Sequence, residues 1–212
     1  MSLFTGRKKA KFSSQTIQLN TSQLKVSQLL ESALKTNYGV CLVGPPASGK
    51  TSIVHKLSET QGQEVISLFV DSSIDGRTLL GTYLCTEVPG EFVWSPGVLS
   101  QAASQGKWLL VENLHTLPQE IQSLLNDFLE TGRLHIPNRG ENIYPQPGFK
   151  VIATSESALK AAGQWILLNI EKVTSEDLFE MVKGSQVLKE CLLEVYQGMS
   201  EIKGRAVTPR DW

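Results

Sequence analysis

The stretch GPPASGKT, residues 44–51, decides the fold. It follows the apolar run VCLV at 40–43 and precedes a helix-forming run from Thr51 to about Thr60. In that strand-to-helix setting, G-x-x-x-x-G-K-[ST] is the pattern of a phosphate cradle. Each residue type has a reason. Gly44 and Gly49 let the backbone turn tightly and bring its N–H groups against phosphate oxygens, with Pro45, Pro46, Ala47 and Ser48 forming the loop between them. The helix that follows through Thr51 and Ser52 aims its positive end at the same place. Lys50 is suited to neutralise the β- and γ-phosphates, and the Thr51 hydroxyl to meet a Mg²⁺ that keeps most of its waters. From residue usage alone the pattern arises by chance on the order of once in a hundred chains of this length. The expected ligands are therefore ATP or ADP with Mg²⁺.

Outward from this loop the chain alternates. Three more apolar runs, VISLFV at 65–70, WLLV at 108–111 and FKVIAT at 149–154, are predicted strands, and a strand, helix, strand alternation leads to a parallel sheet. Between the last two, Ile121, Leu124, Leu125, Phe128 and Leu129 form one apolar stripe on a helix starting at Pro118. TYLCTEVPGEFVW at 82–94 and RLHIPNRGENIYP at 133–145 each hold two strand-like runs around a turn and predict β-hairpins. Leu24, Val26, Leu29, Leu30 and Leu34 predict an earlier helix ending near Asn37, capped by Thr21 or Ser22. After Ser157 the pattern reads as helical, with Thr174 and Asp177 as a capping pair and Leu188, Cys191, Leu192 and Val195 as a stripe. The organisation predicted is a basic flexible tail over 1–19, an α/β nucleotide-binding domain over 20–160, and a small helical lid over 161–212. The final VTPRDW stops without a polar fade-out, as a piece of a longer polypeptide does.

Bulk properties narrow the class. With 212 residues, 41% hydrophobic and 19% charged, the chain can bury one sizeable core and reads as a soluble protein. A formal net charge of -1 gives no global pull on nucleic acid or anionic lipid, so no membrane partner and no direct sequence-specific nucleic-acid binding is expected. Cys41, Cys85 and Cys191 are odd in number and far apart, which argues against a disulfide framework and a zinc site. No apolar run approaches the roughly 18 to 20 residues of a membrane helix, and no secretory signal opens the chain. Arg7, Lys8, Lys9 and Lys11 form a short basic cluster, read as a solvated tail with a nuclear signal as the alternative. His55, His115 and His135 are dispersed and form no metal pattern. Trp94 and Trp108 read as packing residues, with Trp94 also a candidate for a module interface.

The strand WLLVEN carries the second half of the site. A strand of this kind in a P-loop ATPase ends in an acid that supports magnesium, and in hydrolytic members a further acid orients the attacking water. Glu112 suits the first task. Asn113 can hydrogen-bond a water but cannot accept its proton, so it is a poor base.

With these elements placed, the chain resembles an AAA+ ATPase module of the MoxR and dynein-like branch. The stretches LLGTYLCTEVPGEFVWSPGVLSQAASQGKWLLVENLH and LLNDFLETGRLHIPNRGENIYPQPGFKVIAT carry the resemblance, which covers most of residues 20–212. It implies a P-loop parallel sheet flanked by helices with two hairpin inserts and a helical lid. It also implies neighbouring AAA+ modules in a ring formed by one very long chain, with ATP at module interfaces. Within that branch the two stretches are most similar to the giant ring ATPases of ribosome assembly. This implies mechanical removal of assembly factors from precursors of the large ribosomal subunit, in the nucleus with the cytoplasm as the alternative. Besides Asn113, two places depart from the branch, whereas Arg210 matches it. Glu156, beside Ser155, stands where many modules have a sensor asparagine. Gly163, Gln164 and Trp165 stand where relatives carry Asn-Arg-Phe, whose arginine enters a neighbour's site. Arg210 stands where a sensor-2 arginine is expected. The reading is a module that binds nucleotide and hydrolyses it slowly or not at all, since losing a positioned base costs on the order of 10² to 10⁴ in rate. An active MoxR-type ATPase with Glu156 as substitute base and, less favoured, a small-molecule P-loop kinase are the alternatives.

Overall fold

A computed structural model describes residues 19–70, 74–88, 90–157 and 164–172. In chain order its elements are α1 (Thr21–Ala33), β1 (Gly39–Val43), α2 (Lys50–Gln61), β2 (Val65–Phe69), α3 (Gly76–Leu80), β3 (Gly81–Cys85), β4 (Phe92–Pro96) and α4 (Val98–Gln105). There follow β5 (Trp108–Glu112), a 3₁₀ turn (Leu114–Thr116), α5 (Gln119–Thr131), β6 (Leu134–Ile136), β7 (Glu141–Ile143), β8 (Lys150–Ser155) and β9 (Trp165–Asn169). The basic tail, Gly163, Arg210 and the capping pair and stripe expected in the lid lie outside the described residues.

Five strands form one sheet in the order β2-β5-β8-β1-β9, and every neighbouring pair is parallel. Their sequences are nearly continuous apolar runs because both faces are covered. Successive side chains leave opposite faces. Val40 and Leu42 join Leu110 and Ile152 under α1 and α2, against Leu30, Ile53, Val54 and Leu57. Cys41 joins Leu109, Val111 and Ala153 on the other face, against Leu79, Leu99, Leu125 and Phe128 of α3, α4 and α5. A fully buried Leu or Ile contributes about 1.5–3 kcal/mol, so each face holds the sheet against a helical layer.

The two expected hairpins are present as antiparallel pairs, β3 with β4 and β6 with β7. Helices α3 and α4 flank the first of them and add to the elements legible in the sequence. The N-cap of the first helix is Asn20, one residue before the caps expected at Thr21 or Ser22, its side chain accepting from Gln23 N–H.

One expectation fails. The segment after Ser157 reads as helical, yet Trp165–Asn169 is the edge strand β9, paired in parallel with β1. The sheet thus runs past the boundary expected at 160. A short apolar run such as WILL suits a buried strand and a buried helix equally, and periodicity cannot separate them. Here β1 supplies the partner edge, and the indole N–H of Trp165 donates to Asn126 Oδ1 at 2.8 Å, seating the strand on α5.

Candidate functional site

The phosphate loop leaves the carboxyl end of β1, between the ends of β8 and β9, where open parallel sheets place their ligands. Two backbone bonds fix its root. Gly44 N–H donates to Ser155 O at 3.1 Å, and Ile170 N–H donates to Val43 O at 2.7 Å. A Cβ on Gly44 would stand 2.3 Å from Ile170 O, so only glycine fits at this crossing. Farther along, Ala47 and Gly49 have φ of 57° and 87°, the left-handed conformation that lets the loop close on itself.

Lys50 opens α2 and folds back over this loop. Its Nζ donates to Gly44 O at 2.8 Å, Pro45 O at 2.6 Å and Ser48 Oγ at 3.4 Å. The ammonium is thereby centred within the turn its own motif encloses. Next to it, Thr51 Oγ1 donates to Glu112 Oε2 at 3.1 Å, joining the start of α2 to the end of β5. These hard oxygens, a hydroxyl and a carboxylate, are the donor types magnesium prefers. Lys50 also acts on Cys41 behind the loop: burial pushes the thiol up to about 12, against a smaller opposing pull from the ammonium.

The neighbouring strand ends are tied by hydrogen bonds rather than by further charges. Asn113 is exposed, with φ 62°, and its N–H donates to Thr154 Oγ1 at 3.3 Å. Its carbonyl accepts from Thr116 N–H at 2.9 Å and Thr116 Oγ1 at 2.8 Å, which starts the 3₁₀ turn. Asparagine is among the few side chains that take this left-handed backbone readily. Asn113 therefore answers a backbone demand as well as lacking a carboxylate. Glu156 lies just past β8, exposed, and its N–H donates to His115 Nδ1 at 3.4 Å. Ser155 is fully buried and its Oγ donates to Ser157 O at 2.5 Å. Gln164 gives its carbonyl to Gly39 N–H at 3.0 Å at the edge of the sheet, and Trp165 begins β9.

The structure thus brings Gly44, Gly49, Lys50, Thr51 and Glu112 together. Sequence reasoning missed Ile170 behind Gly44, Thr154 and His115 at the strand ends, and Gln23, whose amide donates to Ser48 O at 3.1 Å. The run WILLNI could have signalled the first. Gln23 had a signal of its own, three residues after Asn20 in capping-box spacing. His135 Nδ1 lies 3.0 Å from Asn142 Oδ1 within the second hairpin. Among the described residues no cluster of His, Cys, Asp and Glu is arranged to hold a metal, and no helix is long and apolar enough to cross a membrane. Trp94 packs edge-on to Tyr83 with ring centroids 5.1 Å apart, and the Arg139 guanidinium lies 5.4 Å over its ring.

A five-stranded parallel sheet in this order, with a glycine-turned loop at the end of β1 and an acid at the end of β5, defines a P-loop module of the AAA+ class. Residues 39–172 match the AAA domain of the dynein-related subfamily, and the chain belongs to that family. It is 39% identical over 133 residues to Midasin of Dictyostelium discoideum, covering 61% of this chain and 2% of that protein. Midasin of Giardia intestinalis is 29% identical over 136 residues, covering 64% of this chain and 3% of that one. An uncharacterized protein of Staphylococcus saprophyticus is 26% identical over 177 residues, covering 77% and 66%. The chain spans only a small fraction of either midasin. Among solved structures, NtrX from Brucella abortus in complex with ATP superposes with a TM-score of 0.58 at 14% identity, covering 91% of this chain and 44% of that one. That likeness is one of fold.

Proposed function

We propose that the chain is a nucleotide-binding AAA+ module of a ring ATPase, one that holds ATP or ADP with Mg²⁺ and hydrolyses weakly or not at all by itself. The observation that carries this is the joining of Lys50, Thr51 and Glu112 around one glycine-turned loop. Gly44 and Gly49 keep the backbone close enough for its N–H groups to meet phosphate oxygens, and Lys50 neutralises the β- and γ-phosphates. Thr51 and Glu112 would hold magnesium, which when bound screens the charge on the phosphates. Asn113 orients a water without taking its proton, so attack on the γ-phosphorus lacks a base.

The similarity to two midasins supports a finer reading. The module sits beside other AAA+ modules of the same long chain and contributes a structural or regulatory nucleotide site. The ring acts in the nucleus on precursors of the large ribosomal subunit, displacing assembly factors.

The test is an ATP and ADP titration beside steady-state turnover, on wild type, Lys50→Ala and Asn113→Asp. Binding without turnover in wild type, lost in Lys50→Ala, supports the reading. Wild-type turnover near or above about 1 per second, within the ordinary enzyme range, overturns it. Aspartate is the informative replacement because, like asparagine, it tolerates the left-handed backbone at 113.

A further inference from the structure

The phosphate loop is gripped from a side its own motif does not include. At the start of α1, Gln23 N–H donates to Asn20 Oδ1 at 2.7 Å and Asn20 N–H donates to Gln23 Oε1 at 3.2 Å, a reciprocal capping box. Both residues are 4% exposed, unusual for a cap at a helix end. The box consumes only the oxygen of the Gln23 amide. Its nitrogen donates to Ser48 O, inside the phosphate loop, at 3.1 Å. Glutamate closes capping boxes equally well but has no donor left to offer. Gly49 makes the approach possible, since a Cβ there would stand 2.3 Å from Gln23 Nε2.

The Ser48 carbonyl and the Gly49 N–H belong to one planar trans peptide and point in opposite directions. Holding Ser48 O towards α1 therefore turns the Gly49 N–H away from it. Gly49, with φ 87°, has no Cβ to oppose rotation of this peptide. Turned over, the unit presents a carbonyl oxygen where an anion has to sit. We propose that Gln23 is a positioning residue: its amide locks the 48–49 peptide in the orientation that makes Gly49 N–H a phosphate donor. The inference rests on the nucleotide reading above. It adds a contribution from before residue 39, outside the residues that match the AAA domain.

Gln23→Glu in the full chain, at about pH 8 where a carboxylate is ordinarily ionised, separates the two halves of the device. The carboxylate accepts from Asn20 N–H and keeps the cap, but it cannot donate to Ser48 O. The expected result is a folded chain with a lower melting temperature, since a carboxylate replaces a buried amide beside the Ser48 carbonyl. ADP affinity falls about tenfold, equivalent to about 1.4 kcal/mol. Asn20→Asp, which keeps the acceptor for Gln23 N–H, binds ADP as wild type does. If Gln23→Glu binds ADP with wild-type affinity while Lys50→Ala does not, the latch is wrong and the nucleotide reading stands. If wild type shows no Lys50-dependent ADP binding, the nucleotide reading falls and the latch with it. Should Gln23→Glu fail to fold, Gln23→Met, uncharged and of similar length, gives the affinity comparison with the same two outcomes.

Discussion

On the loop side of the site, charge and geometry are complete: Lys50 is centred by three acceptors, Thr51 reaches Glu112, and two glycines stand where no side chain fits. On the strand side, Asn113 and Glu156 are both exposed, and each is held through its backbone N–H, to Thr154 and to His115. In the function proposed, the first region holds an anion and the second is a strand end without a base. On that proposal binding and turnover are separable demands on one fold, with phosphate affinity resting on the loop and proton abstraction needing one positioned carboxylate.

The largest effect that could break this contrast comes from the strand side. If the missing carboxylate alone limits hydrolysis, Asn113→Asp raises single-turnover hydrolysis by on the order of 10²-fold. An unchanged rate measured by phosphate release would place the deficiency elsewhere, in the arginine or the sensor. On the loop side, Lys50→Ala removes a charge-assisted contact and is expected to weaken ADP roughly 10- to 100-fold by calorimetric titration. Gly44→Ala is expected to lower stability by about 1–3 kcal/mol, read from urea midpoints, because the added methyl meets the Ile170 carbonyl. A silent Gly44→Ala would mean that β9 does not grip the loop root as described.

The smallest contrast is chemical. Cys41 lies buried with its thiol pushed up to about 12, and Cys85 lies exposed on the first hairpin. Alkylation near pH 8, followed by peptide mapping, should label Cys85 well before Cys41. The sign for stability follows from the same shift. Because the folded thiol holds its proton more tightly than the unfolded one, its contribution is fully present below about pH 9 and is lost as pH rises towards about 12.

How much of this was legible depended on whether a residue's reason is local. The phosphate loop was readable because turn, charge and hydroxyl lie within eight consecutive residues, GPPASGKT. Four of the five sheet strands were readable because each apolar run ends in polar or turn-forming residues. The fifth, β9, was not, since WILL carries no periodicity and only the free edge of β1 selects strand over helix. Asn113 was half legible. Its lack of a carboxylate is written in the side chain, whereas its left-handed φ depends on the turn after β5. Gln23 lies far from the loop in sequence, and only packing of α1 against α2 brings its amide to Ser48.

The stacking of Arg139 over Trp94 has a mechanical consequence. A lone two-stranded ribbon is marginal in water, and here two such ribbons, inserted at different points of the chain, lean on one another through a cation and a ring. That contact couples the two ribbons. At the base of the first, Gly97 is packed so closely on Leu79 that a Cβ would stand 2.3 Å from the Leu79 carbonyl. The first ribbon is thus rooted on α3, which packs with α4 on the face of the sheet opposite α2.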